Sequence, residues 1–319
     1  WVPATPLHII RPGEYYGFQP SKVKDKAVHP APIVDPPLWI PDFVNHAGAR
    51  QVWLRGAKMG PRTDSRSHLG STRPALFKVY LDPDGEPRQG AIAPVIDDFT
   101  TGLLDGRVNP QDGFLYVAGL NIWGSVGKEI RGLYRVRPSG DPCWIPEEVR
   151  SLDKGILLRF ANELDEGIAA SLASYTVDRW NYLRTHNYGS GHYKLDGSPG
   201  QDSLPVASAY LSMDRKAVFL GIPDMKPCDS LRVTYRVASP AASVIQEAYL
   251  TVRALRLADL AALGFANTTV DLAIKAGAAA GPDRPDPSAA EGKVVATRFG
   301  CIGCHSTDGS KVVNPDPNM

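Results

Sequence analysis

Long apolar runs are missing from this sequence. No stretch approaches the ~20 residues that carry a helix across a bilayer, so no transmembrane segment is expected in this chain. A charged, then apolar, then small-residue start of the kind that directs secretion is missing as well. Charge of one sign is scarce: 35 basic residues stand against 34 acidic ones, a formal net charge of +1. That balance supplies no field for nucleic acid or an anionic membrane surface, and no nucleic-acid partner is expected. Cysteine and methionine are rare, with 4 of each in 319 residues. Two of the cysteines fall within one short motif near the end of the chain, where they matter most.

Turn chemistry is abundant. The 28 prolines and 30 glycines, set between short apolar runs, predict a mainly β protein over the first 250 residues, with helix a minority. A hydrophobic content of 43% against 22% charged residues is enough for packed cores. The clearest strand pair is Phe114 to Ala118 with Gly132 to Arg137, preceded by the turn Asn109-Pro110-Gln111-Asp112-Gly113. Pro138 to Pro146 breaks the pattern and marks an expected boundary. Beyond it, candidate strands at Gly155 to Phe160, Tyr175 to Leu183, Val206 to Leu211, Ala217 to Ile222, Ser230 to Val237 and Val244 to Arg253 have the spacing of an immunoglobulin-like sandwich. Ala254 to Phe265 is partly helical in period, and the Ala, Gly, Pro and Asp-rich run from Ala276 to Pro287 reads as a linker. Ser288 as N-cap with Glu291 three residues later forms a capping box, opening a helix that leads to Cys301.

The segment Cys301-Ile302-Gly303-Cys304-His305 has the spacing of a covalent haem site. Two thiols three positions apart can each form a thioether to one porphyrin, and the adjacent imidazole reaches the iron. Cys301 and Cys304 are therefore the expected cofactor-binding residues, and His305 is also the expected metal ligand. A zinc site needs a fourth ligand, and Cys143 and Cys228 lie far off in sequence; a thioredoxin-like dithiol needs a βαβ context that is not visible here. Met319 is the only Met or His after the motif, on a loop of 14 residues. That loop is short for reaching the opposite face, so the second axial ligand is expected elsewhere. Because haem attachment implies an oxidising compartment, periplasmic or otherwise extracytoplasmic, a Cys143–Cys228 disulfide is expected as well.

Several segments together resemble a known family. They are Thr5-Pro6-Leu7-His8, Pro12-Gly13, Tyr16-Gly17-Phe18, Pro36 to Pro41, Gln51-Val52-Trp53, Phe99 to Gly102, Asn109 to Val117, Trp180-Asn181-Tyr182 and Asn187 to Ser190. The family comprises haem-c-containing proteins of planctomycete type whose propeller part resembles glucose/sorbosone dehydrogenases. The resemblance implies terminal blades of a β-propeller over residues 1–138, the sandwich over 139–256, a linker over 257–287 and the start of a cytochrome c domain over 288–319. The chain then reads as a fragment of a larger protein, with an unpaired strand edge where further blades would sit. Relatives are described as quinoprotein dehydrogenases of sugars or alcohols, so the resemblance also implies pyrroloquinoline quinone in blades outside this sequence and a redox partner protein. No catalytic residue is assignable.

Other residues carry less. His8, His46 and His68 read as loop histidines, and His186 and His192 flank a Gly and Ser-rich turn without P-loop spacing. Asp97-Asp98 and Glu163, Asp165 and Glu166 read as solvated loop acids rather than a catalytic pair. Two functional readings follow: electron transfer through the haem coupled to a sugar or alcohol dehydrogenase, or a non-catalytic carbohydrate- or protein-binding assembly with the haem as relay or sensor.

Overall fold

A computed structural model of the chain describes residues 4–17, 32–45, 47–55, 57–58, 66–70, 74–82, 85–121, 125–140, 142–185, 189–238, 245–266 and 269–274, without the side chains of 66–68. Among these residues are seventeen strands and two four-residue helices, so the protein is mainly β as its composition predicts. No described sheet closes into a barrel or a propeller.

The turn that the sequence marks most strongly closes a hairpin. β7 (Leu103–Val108) and β8 (Leu115–Leu120) flank it, and β9 (Arg131–Val136) adds to β8 with Leu115 opposite Val136. The Gly113 N–H donates to the Asn109 carbonyl at 2.8 Å, and the Asp112 carboxylate accepts from the Phe114 N–H at 2.9 Å. Gly113 has φ +77°, a left-handed conformation that its lack of a Cβ permits. The expected pair is therefore real, and β7 is a third strand of the same meander.

An eight-stranded antiparallel sheet forms the spine. Its first half is β3 (Gly48–Trp53), β4 (Arg66–Gly70), β5 (Ala75–Leu81) and β6 (Gly90–Ile96); its second is β12 (Tyr175–Trp180), β13 (Asp202–Leu204), β16 (Cys228–Tyr235) and β17 (Gln246–Val252). The order is β13-β12-β16-β17-β6-β5-β4-β3. The join is β17 against β6, with Tyr249 opposite Ile92 and Thr251 opposite Gly90. Residues on both sides of the expected boundary at 138 thus share one hydrogen-bonded sheet, although 137–140 themselves lie in an exposed loop.

Three further layers cover this spine. A four-stranded sheet of β10 (Glu148–Leu152), β11 (Gly155–Arg159), β15 (Ala217–Gly221) and β14 (Ser208–Leu211) faces the second half. Between them lies the largest core, with Ile156, Leu158, Val218 and Leu220 from one sheet meeting Val177, Val233, Leu250 and Ala91 from the other. On the opposite face a ribbon of β1 (Thr5–Leu7) and β2 (Leu38–Ile40), followed by the single helical turn α1 (Asp42–Asn45), buries Trp39 and Ile40 against Phe77, Ile92 and Tyr249. The β7–β9 meander packs Leu103, Leu115 and Val117 onto Val52, Leu69 and Leu76. All six strands expected after residue 150 are present, and β10 and β13 are two more.

A polar clamp ties the two halves together. The Gln89 side chain is 2% exposed; its oxygen accepts from the Arg253 and Ala254 N–H groups at 2.9 and 3.0 Å, and its nitrogen donates to Asp82 at 3.2 Å and Ser151 at 3.3 Å. Asp82 also pairs with Arg256. The start of the expected linker is packed rather than free: Leu260, Phe265 and Val270 are buried against Leu157 and Phe219. The helical period over 254–265 yields one turn, with the Asp259 carboxylate accepting from the Ala262 N–H at 3.0 Å and Gly264 ending it at φ +87°.

Candidate functional site

Cys301, Cys304 and His305, the helix expected from Ser288 and the terminal Met319 lie outside the described residues. Their fit to a haem therefore rests on the donor set: two thiols for two vinyl groups and an imidazole for the iron, in the order and spacing that one porphyrin requires. Among the described residues no group of three or more His, Cys, Asp or Glu side chains could hold a metal ion.

The most concentrated chemistry among the described residues surrounds His192. The chain leaves β12 at Trp180 and returns through an Asn181–Tyr193 bridge, which lays the His192 ring on the Trp180 indole at 4.7 Å. Phe43 and Tyr182 contact the ring edge-on at 5.9 and 5.8 Å. His192 Nδ1 lies 2.7 Å from the amide nitrogen of Gln201, whose oxygen accepts from Arg232 at 3.3 Å. A donating Gln201 amide puts the imidazole proton on Nε2. Arg232 is 2% exposed, pairs with Asp178 at 2.5 Å and lies 5.7 Å over Trp180. Burial first, and the Arg232 charge second, push His192 down to about 4, so the ring is neutral at physiological pH.

Beside this cluster Asp42, Leu183, Ser190 and Tyr193 line a cavity of about 310 Å³. Loss of water around Asp42 raises its carboxyl to about 6. Ser190 is already committed: its hydroxyl donates to the Gly191 carbonyl at 2.7 Å and accepts from the Leu183 N–H at 2.9 Å. Neither of its hydrogen bonds goes to a histidine among the described residues, so Ser190 and His192 belong to a folded turn and do not form a nucleophile and base. Sequence reasoning treats His192 as a turn residue and misses its burial. The one available signal is the clustering of Trp180, Tyr182 and Tyr193 around it, which does not include Phe43.

The remaining polar candidates have structural tasks. His8 packs edge-on against Tyr16 at 4.8 Å, and burial lowers its affinity for a proton. His46 and His186, and the side chain of His68, are outside the described residues. Asp97 and Asp98 are exposed after β6. Glu163 pairs with Arg215, which holds its carboxyl below the usual carboxylate range, and the Asp165 carboxylate caps α2 (Glu166–Ala169) by accepting from the Ile168 N–H at 3.1 Å.

The expected Cys143–Cys228 disulfide is not formed; both are free thiols, Cys143 exposed and Cys228 buried. Cys228 opens β16, whereas the Trp144 carbonyl next to Cys143 accepts from Tyr235 at the far end of that strand, at 3.3 Å. Seven strand residues span roughly 23 Å, against the ~7 Å between Cα atoms that a disulfide tolerates. Burial pushes the Cys228 thiol up to about 12, which makes it inert as a nucleophile. Compared with protein-family models, curated proteins and solved structures, the chain has no match.

Proposed function

We propose that this chain carries electrons through a haem held covalently by Cys301 and Cys304, with His305 as an axial ligand of the iron. The observation that supports this reading is the pentad Cys301-Ile302-Gly303-Cys304-His305 behind a capping box and Phe299-Gly300, the order in which c-type cytochromes present their attachment site. The haem supplies a one-electron couple; the protein sets its potential through the axial ligands, burial and hydrogen bonds. Cys301 and Cys304 fix the porphyrin against loss, and His305 takes the proximal position, its second ring nitrogen held by an acceptor that sets the tautomer. Attachment of this kind belongs to an extracytoplasmic compartment. The resemblance to propeller dehydrogenases supplies the electron donor: a quinone-dependent propeller part oxidising a sugar or alcohol, with the β-meanders before residue 138 as its terminal blades. The second reading, a carbohydrate- or protein-binding assembly with a haem relay, keeps the same attachment site.

Expression in a host that matures c-type cytochromes tests the proposal. Pigment should remain bound through acid-acetone extraction, the peptide carrying Cys301 and Cys304 should gain the mass of one haem, and Cys301→Ala/Cys304→Ala should lose both signals. Protein from such a host with unmodified thiols would refute the assignment. Sugars or alcohols that reduce the haem, with and without added quinone, would identify the dehydrogenase reading; a haem that no substrate reduces in the longer protein would favour the relay.

A further inference from the structure

β9 is the outer strand of the β7-β8-β9 sheet, and among the described residues it pairs with β8 alone. The ladder's phase decides which of its main-chain groups are free. The Asn121 N–H donates to the Ile130 carbonyl at 2.8 Å, so Gly132, Tyr134 and Val136, in step with Ile130, turn their N–H and C=O toward β8. The Asn109 N–H to Phe114 carbonyl bond, at 2.9 Å, gives the same phase from the β7 side. Arg131, Leu133 and Arg135 therefore direct their main-chain groups outward. Their side chains share the exposed face, with Leu133 75% exposed, while Val136 is 6% exposed. An open groove of about 660 Å³ runs alongside, lined by the consecutive residues Leu133 to Arg137 and, across from them, by Ile96 and Asp98 to Thr100.

We propose that this edge binds an extended acidic segment of a partner protein by strand addition. In an antiparallel addition the residues opposite Arg131, Leu133 and Arg135 lie on the same face as those side chains, so the complementary pattern is acid-x-apolar-x-acid. Arg131 and Arg135 are in no ion pair within salt-bridge distance among the described residues; Arg135 rests 5.9 Å over Phe114 and is attracted at longer range to Asp112, whose carboxylate accepts from the Phe114 N–H and the Tyr116 hydroxyl. A second copy of this chain fits badly, because pairing about Leu133 sets Arg131 opposite Arg135 of the copy and puts like charges face to face. Charged residues on an edge also discourage indiscriminate pairing. Here their common sign selects the partner. The proposal is independent of the haem assignment.

The test is fluorescence anisotropy of a labelled peptide with Glu-Thr-Val-Thr-Glu at its centre, titrated with the full chain. Saturable binding that weakens with salt is expected, at least tenfold weaker with Arg131→Glu/Arg135→Glu. A Lys-Thr-Val-Thr-Lys peptide should bind that variant and not the parent. Leu133→Pro removes an outward N–H while leaving the β8 ladder its donors, and should weaken binding similarly. Melting curves check that each variant folds; if Leu133→Pro does not, the charge-reversed pair decides alone. No saturable binding to the folded parent, or equal binding to the charge-reversed variant, would overturn the proposal.

Discussion

Loss of water moves His192 and Asp42 in opposite directions, and their titrations overlap. The unfolded imidazole takes its proton near 6.5 and the folded one only near 4, so the stability from keeping His192 neutral is full above pH 6.5 and is lost as pH falls toward 4. Asp42 rises from 3.8 to about 6 although the residue is exposed: the folded protein takes this proton first, and the cost of its partly desolvated charge is full above pH 6 and relieved below it. Between pH 4 and 6 the two slopes oppose each other. Asp42→Asn should therefore make stability rise more steeply across that window than in the parent, by urea midpoints at a series of pH values; parallel curves would show that Asp42 does not titrate there. Gln89 gives a second prediction. Gln89→Leu strips partners from two part-buried main-chain N–H groups and from the buried Ser151, and should cost about 3 kcal/mol in urea unfolding. Neither residue announced itself. Gln89 follows Pro87 and Arg88 like any loop residue, and apart from Asp82, seven positions back, its partners lie 62 to 165 positions away. Burial created by distant segments leaves no local mark, whereas a motif whose members are neighbours in the chain, such as Cys301-Ile302-Gly303-Cys304-His305, is visible in the sequence itself.

Whole elements were legible where their chemistry is local. The Asn109–Gly113 turn was readable because the Asn109 and Asp112 side chains and a left-handed Gly113 supply its geometry from within five residues. β10, with Glu148, Arg150 and Ser151 in five positions, was not, because its pairing with β11 and its burial against β17 and β6 outweigh a weak strand composition. The β10–β11 hairpin makes the sharpest demand on one residue. Gly155 sits at φ +151°, where a Cβ would stand 1.7 Å from the Leu220 carbonyl oxygen. Gly155→Ala must push β11, which supplies Ile156 and Leu158 to the main core, away from β15. It should cost about 3 kcal/mol or more, seen as a lowered melting temperature. Gly264→Ala, with open space around its Cβ, meets only the backbone penalty and should cost about 1 kcal/mol.

The molecule as a whole is joined where its sequence reads as divided. Pro138-Ser139-Gly140-Asp141-Pro142 has the composition of a boundary, but the same residues serve a loop within a domain as readily as a linker between two. The β6–β17 pairing spans more than 150 positions and leaves no trace in either strand alone. Its energetic consequence is coupling. Tyr80, Ala91 and Ala93 from the first half lie in the same core as Val233, Leu250 and Val252 from the second, and the Gln89 clamp crosses the same junction. Separating the halves would strip β17 of a strand partner and uncover apolar surface on both sides, so neither half opens fully without destabilising the other. Native-state hydrogen exchange should then give amides of β5 and β6 and those of β16 and β17 the same opening free energy, within about 1 kcal/mol. If the first half exchanged through an opening several kcal/mol easier than the second, the two would be independent folding units joined by an incidental contact, and the boundary at 138 would be physical after all.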